Sequence, residues 1–213
     1  DGALLEVPGP LVAENGGLLR VKVVISGITP MLHNAMSEGQ LLGIRDKVKR
    51  SKSAARPKPR EEADSKVYRL PDGRPHLPVK NLYACLIGAG QFVRLDGKRQ
   101  ISTEKKTILP GMLMIEDTIL PLMAGRGSAP WEVDIQKGTN PNGGEAVCII
   151  RPRFDEWYVE ATLEIDQELM PEPMARQLVD IAGKRIGLCD FRPQRRGTFG
   201  RFVVTNWRRI SDT

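Results

Sequence analysis

Apolar and polar residues alternate along Leu19-Arg20-Val21-Lys22-Val23-Val24-Ile25, which reads as a half-buried strand ended by Gly27-Ile28-Thr29-Pro30. A short helix is expected over Met31 to Leu42. Val67 to Pro78 has the chemistry of a hairpin around the turn tripeptide Pro71-Asp72-Gly73. From Val79 to Val93, Leu82, Leu86, Ile87 and Phe92 fall at near-helical spacing, with Ala84, Ala89 and Gly90 as small neighbours that allow close packing. Strand-like runs follow at Ile108 to Glu116, Thr118 to Leu122, Trp131 to Gln136 and Ala146 to Arg151, separated by the turn-rich "AGRGSAP" and "GTNPNGG". Tyr158 to Ile165 alternates cleanly. Pro171 to Ile186 is amphipathic with proline near its first turn, Leu178, Val179, Ile181 and Ala182 facing inward, and a last strand runs through Phe202 and Val204.

Stripped of insertions, the order is strand, helix, strands, helix, strand. This predicts an α+β, ferredoxin-like β-α-β-β-α-β core, the plan also of the RNA-recognition motif, with two helices on one face of an antiparallel sheet and the other face free. Residues 1–19 read as an N-terminal arm and 20–213 as a single domain. That domain carries a basic, mobile insertion at 45–66 and a β-rich insertion at about 112–151.

Composition turns this fold toward a polyanionic partner. The 213 residues carry 32 Lys+Arg against 26 Asp+Glu, a net charge of +6, and 40% of them are hydrophobic, enough for a substantial core. Basic residues crowd "RDKVKRSKSAARPKPR", where Arg45, Lys47, Lys49, Arg50, Lys52, Arg56, Lys58 and Arg60 face only Asp46, and its prolines forbid a long helix. It is either a nucleic-acid contact or a solvated linker. Cys85, Cys148 and Cys189 are far apart and form no C-x-x-C pair, so they read as reduced thiols of a cytoplasmic-type compartment. No run approaches the roughly 18 apolar residues of a membrane span, and no signal-peptide pattern opens the sequence.

Catalytic constellations fail one by one. Gly88-Ala89-Gly90 lacks the third glycine of a dinucleotide fingerprint and ends a helix instead of opening one, and no phosphate loop or nucleophile elbow is present. With His33 and His76 alone, no metal site or cofactor is expected. His33 and Asp64 are the only side chains retained as candidate acids or bases for an alternative ribonuclease reading.

The stretch "RRGTFGRFVV", Arg195 to Val204, survives. From Lys184 to Arg209, eight cations face Asp190 alone, with Phe199, Phe202 and Trp207 among them. Single-stranded nucleic acid stacks its bases on rings and sets its phosphates against guanidinium groups. Phe202 and Val204 share one strand face, for the core; Phe199, Arg201 and Val203 share the other, for contacts. Gly197 and Gly200 admit two readings. Either they free backbone amides into an anion nest, so that a β-branched residue at Gly200 leaves the fold intact and blocks the ligand, or they serve a β-bulge, so that the same change lowers the melting temperature.

Three segments carry a family resemblance. "VKVVISGITPML", Val21 to Leu32, resembles the first strand and turn of the repeat-associated mysterious protein (RAMP) superfamily, RNA-binding proteins that include backbone subunits of CRISPR effector complexes. "PHLPVKNLYACLIGAG", Pro75 to Gly90, is similar to the loop that leads into that family's first core helix, although Pro78-Val79-Lys80-Asn81 stands where small residues are usual. "RRGTFGRFVV" is similar to its C-terminal glycine-rich loop. The sequence also resembles small phage-encoded proteins. The resemblance implies binding of single-stranded RNA or DNA, RNA favoured, by copies that polymerise head to tail, with other effector subunits as further partners and no membrane. An acidic residue after the first strand turn, where target-cleaving members place one, is lacking, which implies binding without cleavage; a RAMP-like endoribonuclease and a phage assembly protein are the alternatives. Residues expected at the nucleic acid are Lys47, Lys49, Arg50, Lys52, Lys80, Arg192, Arg195, Arg196, Gly197, Phe199, Gly200 and Arg201. If the basic insertion orders on a polyanion, limited proteolysis cleaves within residues 45–60 of the protein alone and spares them when single-stranded RNA is present; equal cleavage in both states removes the insertion from the binding surface.

Overall fold

The computed structural model describes residues 17–46, 57–139 and 143–210. β1 (Leu18–Gly27) and the two-residue β2 (Met31–Leu32) come first, then α1 (Glu38–Arg45), α2 (Pro59–Asp64), β3 (His76–Leu77) and α3 (Val79–Ala89). The short strands β4 (Arg94–Leu95), β5 (Arg99–Gln100), β6 (Leu113–Ile115), β7 (Leu120–Pro121), β8 (Met123–Ala124) and β9 (Gly127–Ser128) follow. A ribbon of β10 (Glu132–Thr139) and β11 (Ala146–Phe154) leads to β12 (Tyr158–Asp166), α4 (Glu172–Ile181) and β13 (Phe202–Ile210).

β1 lies between β13 and β12, both antiparallel to it, and β12 pairs onward with β6 and β8. Taken as β1-α3-β6-β12-α4-β13, the chain has the ferredoxin-like α+β plan that its pattern predicts. Alternation decides which face is core. Val21, Val23 and Ile25 of β1 and Val159, Ala161, Leu163 and Ile165 of β12 are buried in one cluster with Leu82, Cys85, Leu86 and Ala89 of α3 and Ala175, Leu178 and Val179 of α4. The intervening residues carry charge: Lys22 meets Glu160 at 2.8 Å, Arg20 meets Glu116 at 2.5 Å, and Arg208 stands opposite Lys22. Between Val24 and Ile25 the β1–β13 register slips, a bulge that keeps Trp207 and Phe202 on the core side of β13.

A second sheet, β10-β11-β2, supports α2. Here the expected insertion is corrected at its C-terminal end, because Pro59–Asp64 is a helix docked on the ribbon. Proline occupies its first turn, Ala63 is fully buried, Arg60 lies 3.8 Å from the Trp131 ring centre, and Lys66 binds Glu62 at 2.5 Å and the Ile150 carbonyl at 2.8 Å. Lys47, Lys49, Arg50 and Lys52 lie outside the described residues.

Other boundaries shift for local reasons. Met31 and Leu32, expected to open a helix, are fully buried and pair with β11, so helix begins only at Glu38, where Ser37 and Gln40 form a capping box. Pro110-Gly111 turns the start of the Ile108 to Glu116 run into a 3₁₀ turn, leaving β6 as its strand. The helix expected to Ile186 is α-helical only to Ile181; a π turn over Ala182–Ile186 follows and closes at Gly187, φ +74°. In that turn Gly183 lets the Phe202 carbonyl approach to 2.2 Å from where a Cβ would stand. No helix among the described residues is long and apolar enough to cross a membrane.

Candidate nucleic-acid interface

Three segments distant in sequence are bonded into one structure at the end of β1. The Ile28 amide donates to the Arg201 carbonyl at 2.9 Å, the Gly200 amide to the Pro30 carbonyl at 2.7 Å, and the Arg201 amide to Thr29 Oγ1 at 3.0 Å. The Asp190 amide donates to the Leu32 carbonyl at 3.0 Å. Asn81, in the first turn of α3, reaches Cys189 Sγ with Nδ2 at 3.8 Å. These are the β1–β2 turn, the entry to α3 and the glycine-arginine loop, the segments singled out in the sequence.

Cations gather where they meet. Arg192 is half-buried, with Nη1 on the Cys189 carbonyl at 2.7 Å and Nε and Nη2 on Gln194 Oε1 at 3.3 and 3.2 Å, so its guanidinium is fixed in place. Arg195 ends a 3₁₀ turn that begins at Pro193, and Arg196 caps it with φ +63°; both side chains are exposed. Lys80 is exposed beside Asn81 at the start of α3. Phe199 and Arg201 are partly buried, and Arg201 Nε is a buried donor with no partner among the described residues.

The two readings of the glycines are now decided, and the anion nest is the one corrected. The Arg196, Gly197, Phe199, Gly200 and Arg201 amides donate to Pro193 O, Arg192 O, Phe191 O, Pro30 O and Thr29 Oγ1, so none of these five is left for a phosphate. A Cβ on Gly197 would stand 1.6 Å from the Phe191 carbonyl oxygen, and one on Gly200, at φ +70°, 2.0 Å from that of Leu188. Glycine is required because two backbone segments cross in contact. Positive charge at the surface is therefore supplied by side chains.

His33 is corrected as a candidate acid or base. Its side chain is fully buried, its Nδ1 accepts the Tyr68 amide at 3.3 Å, and its ring centre lies 4.4 Å from that of Phe154. Burial, with His76 nearby, lowers its pKa to about 3, so it is a neutral core residue. Asp64 is an exposed partner of Arg69 at 2.5 Å, and Arg69 also holds the Gly73 carbonyl at 2.8 Å; the pair ties α2 to the 67–78 hairpin. Cys85 and Cys189 are buried thiols whose pKa burial raises, to about 12 for Cys189, while Cys148 is exposed.

A polar pocket of about 170 Å³ opens at the junction, lined by Asn34, Tyr68, Asn81, Cys189, Asp190 and Arg192. Of these, Arg192 alone is prominent in the sequence as a binding residue. The signals for the others are slight: Asp190 is the sole acid in a basic run, Asn81 sits beside Lys80, and Asn34 is the first polar position after a buried segment. A larger groove of about 790 Å³ continues from Asn34 between α2 and β11.

No protein-family model and no curated protein matches the sequence. Among solved structures, the chain is similar to one in the cryo-EM structure of the type III-B Cmr-β complex bound to cognate target RNA, with a TM-score of 0.56 and 13% identity. The two share a fold. The match takes in 91% of the present chain and 61% of the other, so the chain spans under two thirds of that neighbour's length.

Because Gly200 sits at a backbone crossing with positive φ, Gly200→Val is expected to lower the melting temperature by several degrees or to prevent folding, measurable by calorimetry; a variant as stable as the parent contradicts the crossing. His33 titrates about 3 in the folded chain against an ordinary 6.5, so the unfolded chain holds the extra proton between those values and stability falls as pH drops below 6.5. His33→Leu is expected to flatten the fall of unfolding free energy between pH 6.5 and 4 by up to about 1.4 kcal/mol per pH unit, read from urea titrations; an unchanged slope excludes a buried neutral His33.

Proposed function

We propose that the protein binds single-stranded nucleic acid, RNA in preference to DNA, without cutting it, as a repeating backbone subunit of a RAMP-type CRISPR nucleoprotein complex. The observation that carries this reading is the convergence of Lys80, Arg192, Arg195, Arg196 and Arg201 on one rigid junction built by three separate segments. Cations scattered on a solvated surface serve solubility; cations carried on one hydrogen-bonded frame, with Arg192 held by the Cys189 carbonyl, suit a phosphate backbone. The fold shared with a chain of an RNA-bound complex supports the same partner. Phe199, beside these arginines, is the ring on which a base stacks.

The strand is held without being cut. His33 is sealed in the core and Asp64 is committed to Arg69 on the hairpin, so neither supplies a general base to a bound strand. Copies joining head to tail along the strand, with other effector subunits at the ends of the row, form the assembly. Such contacts are heterologous and permit open filaments.

Binding to a fluorescent uridine 20-mer, followed by anisotropy, tests the reading. With about six phosphates neutralised per protomer, log K falls against log salt with a slope of about −4. The double change Arg195→Glu and Arg196→Glu, on exposed side chains, is expected to weaken binding at least about tenfold while the melting temperature holds. A flat salt response, or full affinity in the doubly reversed variant, overturns the assignment.

A further inference from the structure

We infer that the pocket between Asn34, Asn81 and Asp190 receives the ribose of one nucleotide of the bound strand and reads its 2′-hydroxyl, so that it sets the preference for RNA over DNA. This rests on the nucleic-acid reading above and adds a site to it. The pocket adjoins the cations: Arg192 is one of its walls, and Asn81 follows Lys80 on α3.

Its size and chemistry select a sugar over the other two parts of a nucleotide. At about 170 Å³ it is below the roughly 300 Å³ where ordinary small-molecule pockets begin, room for one small polar group. A base needs flat apolar walls to stack on. The pocket offers one aromatic residue, Tyr68, which packs edge-to-face on His33 and His76 and donates its hydroxyl to the Asn34 carbonyl at 3.3 Å; the remaining lining is mainly amide, carboxylate and guanidinium. A phosphate wants donors only and is repelled by Asp190, whose carboxylate lines the pocket.

A hydroxyl both donates and accepts, and the lining supplies both. Asp190 is fixed by Arg151 Nε at 2.8 Å and by the Phe191 amide at 3.1 Å; these leave lone pairs on a carboxylate that can accept an O–H. The side-chain amide of Asn34 has no hydrogen-bond partner among the described residues, and that of Asn81, which lies against the Tyr68 hydroxyl and reaches the Cys189 sulfur with Nδ2 only at 3.8 Å, keeps further donor and acceptor capacity. Deoxyribose would leave these groups facing a C–H. A site built to bond a hydroxyl discriminates against the analogue that lacks it, because its own polar groups then lose water without gaining a partner.

The test compares a uridine 20-mer with a deoxyuridine 20-mer, which hold base and backbone charge constant and change the sugar, and adds the 2′-O-methyl uridine 20-mer. For the parent protein, affinity for the ribose strand is expected to exceed that for the deoxy strand by about threefold to tenfold per bound protomer, the value of one or two hydrogen bonds, and the 2′-O-methyl strand is expected to lose the advantage because the methyl group removes the donor. In Asn34→Ala and, separately, Asn81→Ala, with the melting temperature monitored, the ratio is expected to approach one. Equal affinities in the parent protein, or a ratio that survives in both variants, overturns the ribose pocket while leaving the nucleic-acid reading in place. If none of the three strands binds, the nucleic-acid reading itself fails and the pocket's role falls with it.

Discussion

At Gly200 the chain turns with positive φ and passes the Leu188 carbonyl so closely that a Cβ would stand 2.0 Å from its oxygen. Much of the candidate surface follows from that crossing. The Gly200 carbonyl accepts the Leu188 amide at 2.9 Å while its own amide goes to Pro30, so one residue joins the start of β13, the segment leaving the π turn after α4, and the turn after β1. Gly197 repeats the arrangement against Phe191. The intervening Arg192, Arg195 and Arg196 thus project from a loop whose ends are pinned. Their positions are set by backbone hydrogen bonds, and the entropy of ordering the loop is met on folding, before any ligand arrives.

The junction also separates two environments that the same strands serve. On the core side, Val23, Phe202 and the residues of α3 and α4 exclude water. At the end of the strands, charge concentrates in side chains held by neutral backbone: Arg192 by the Cys189 carbonyl, and Asp190 by Arg151 and the Phe191 amide. Asp190 answers Arg151 inside the frame, which leaves the loop's exposed arginines in excess at the surface. Positive side chains thus stand outside and a pocket of mixed donors and acceptors lies within.

Much of the scaffold was legible in the sequence because one rule governs it. In β1 and β12 the period of two in hydrophobicity is the period of the pleat, and in α3 and α4 the apolar spacing is that of the helix, so each element's type and inward face follow from residue order. Reading failed where a contact far along the chain overrode local preference. Met31 and Leu32 continue an apolar pattern consistent with a helix, yet β11 claims them as a strand. Pro59 and Arg60 end a basic, proline-rich run whose prolines forbid a long helix, yet a short helix forms from Pro59 to Asp64 because the ribbon buries Ala63 and gives Arg60 a tryptophan to lie on.

The sequence by itself determined the ferredoxin-like core, the abundance of cations near the C-terminus and the presence of glycines that no strand needs, since all three are properties of composition and short-range period. The tertiary structure alone decided what those glycines do and where the cations meet. Whether an amide at Gly200 faces solvent or a carbonyl depends on the position of Pro30, about 170 residues away, and no local pattern carries that distance. The pocket shows the same division most sharply. Asn34, Asn81 and Asp190 are ordinary polar residues in sequence, and they become neighbours only because two loops and the first turn of α3 close on one another.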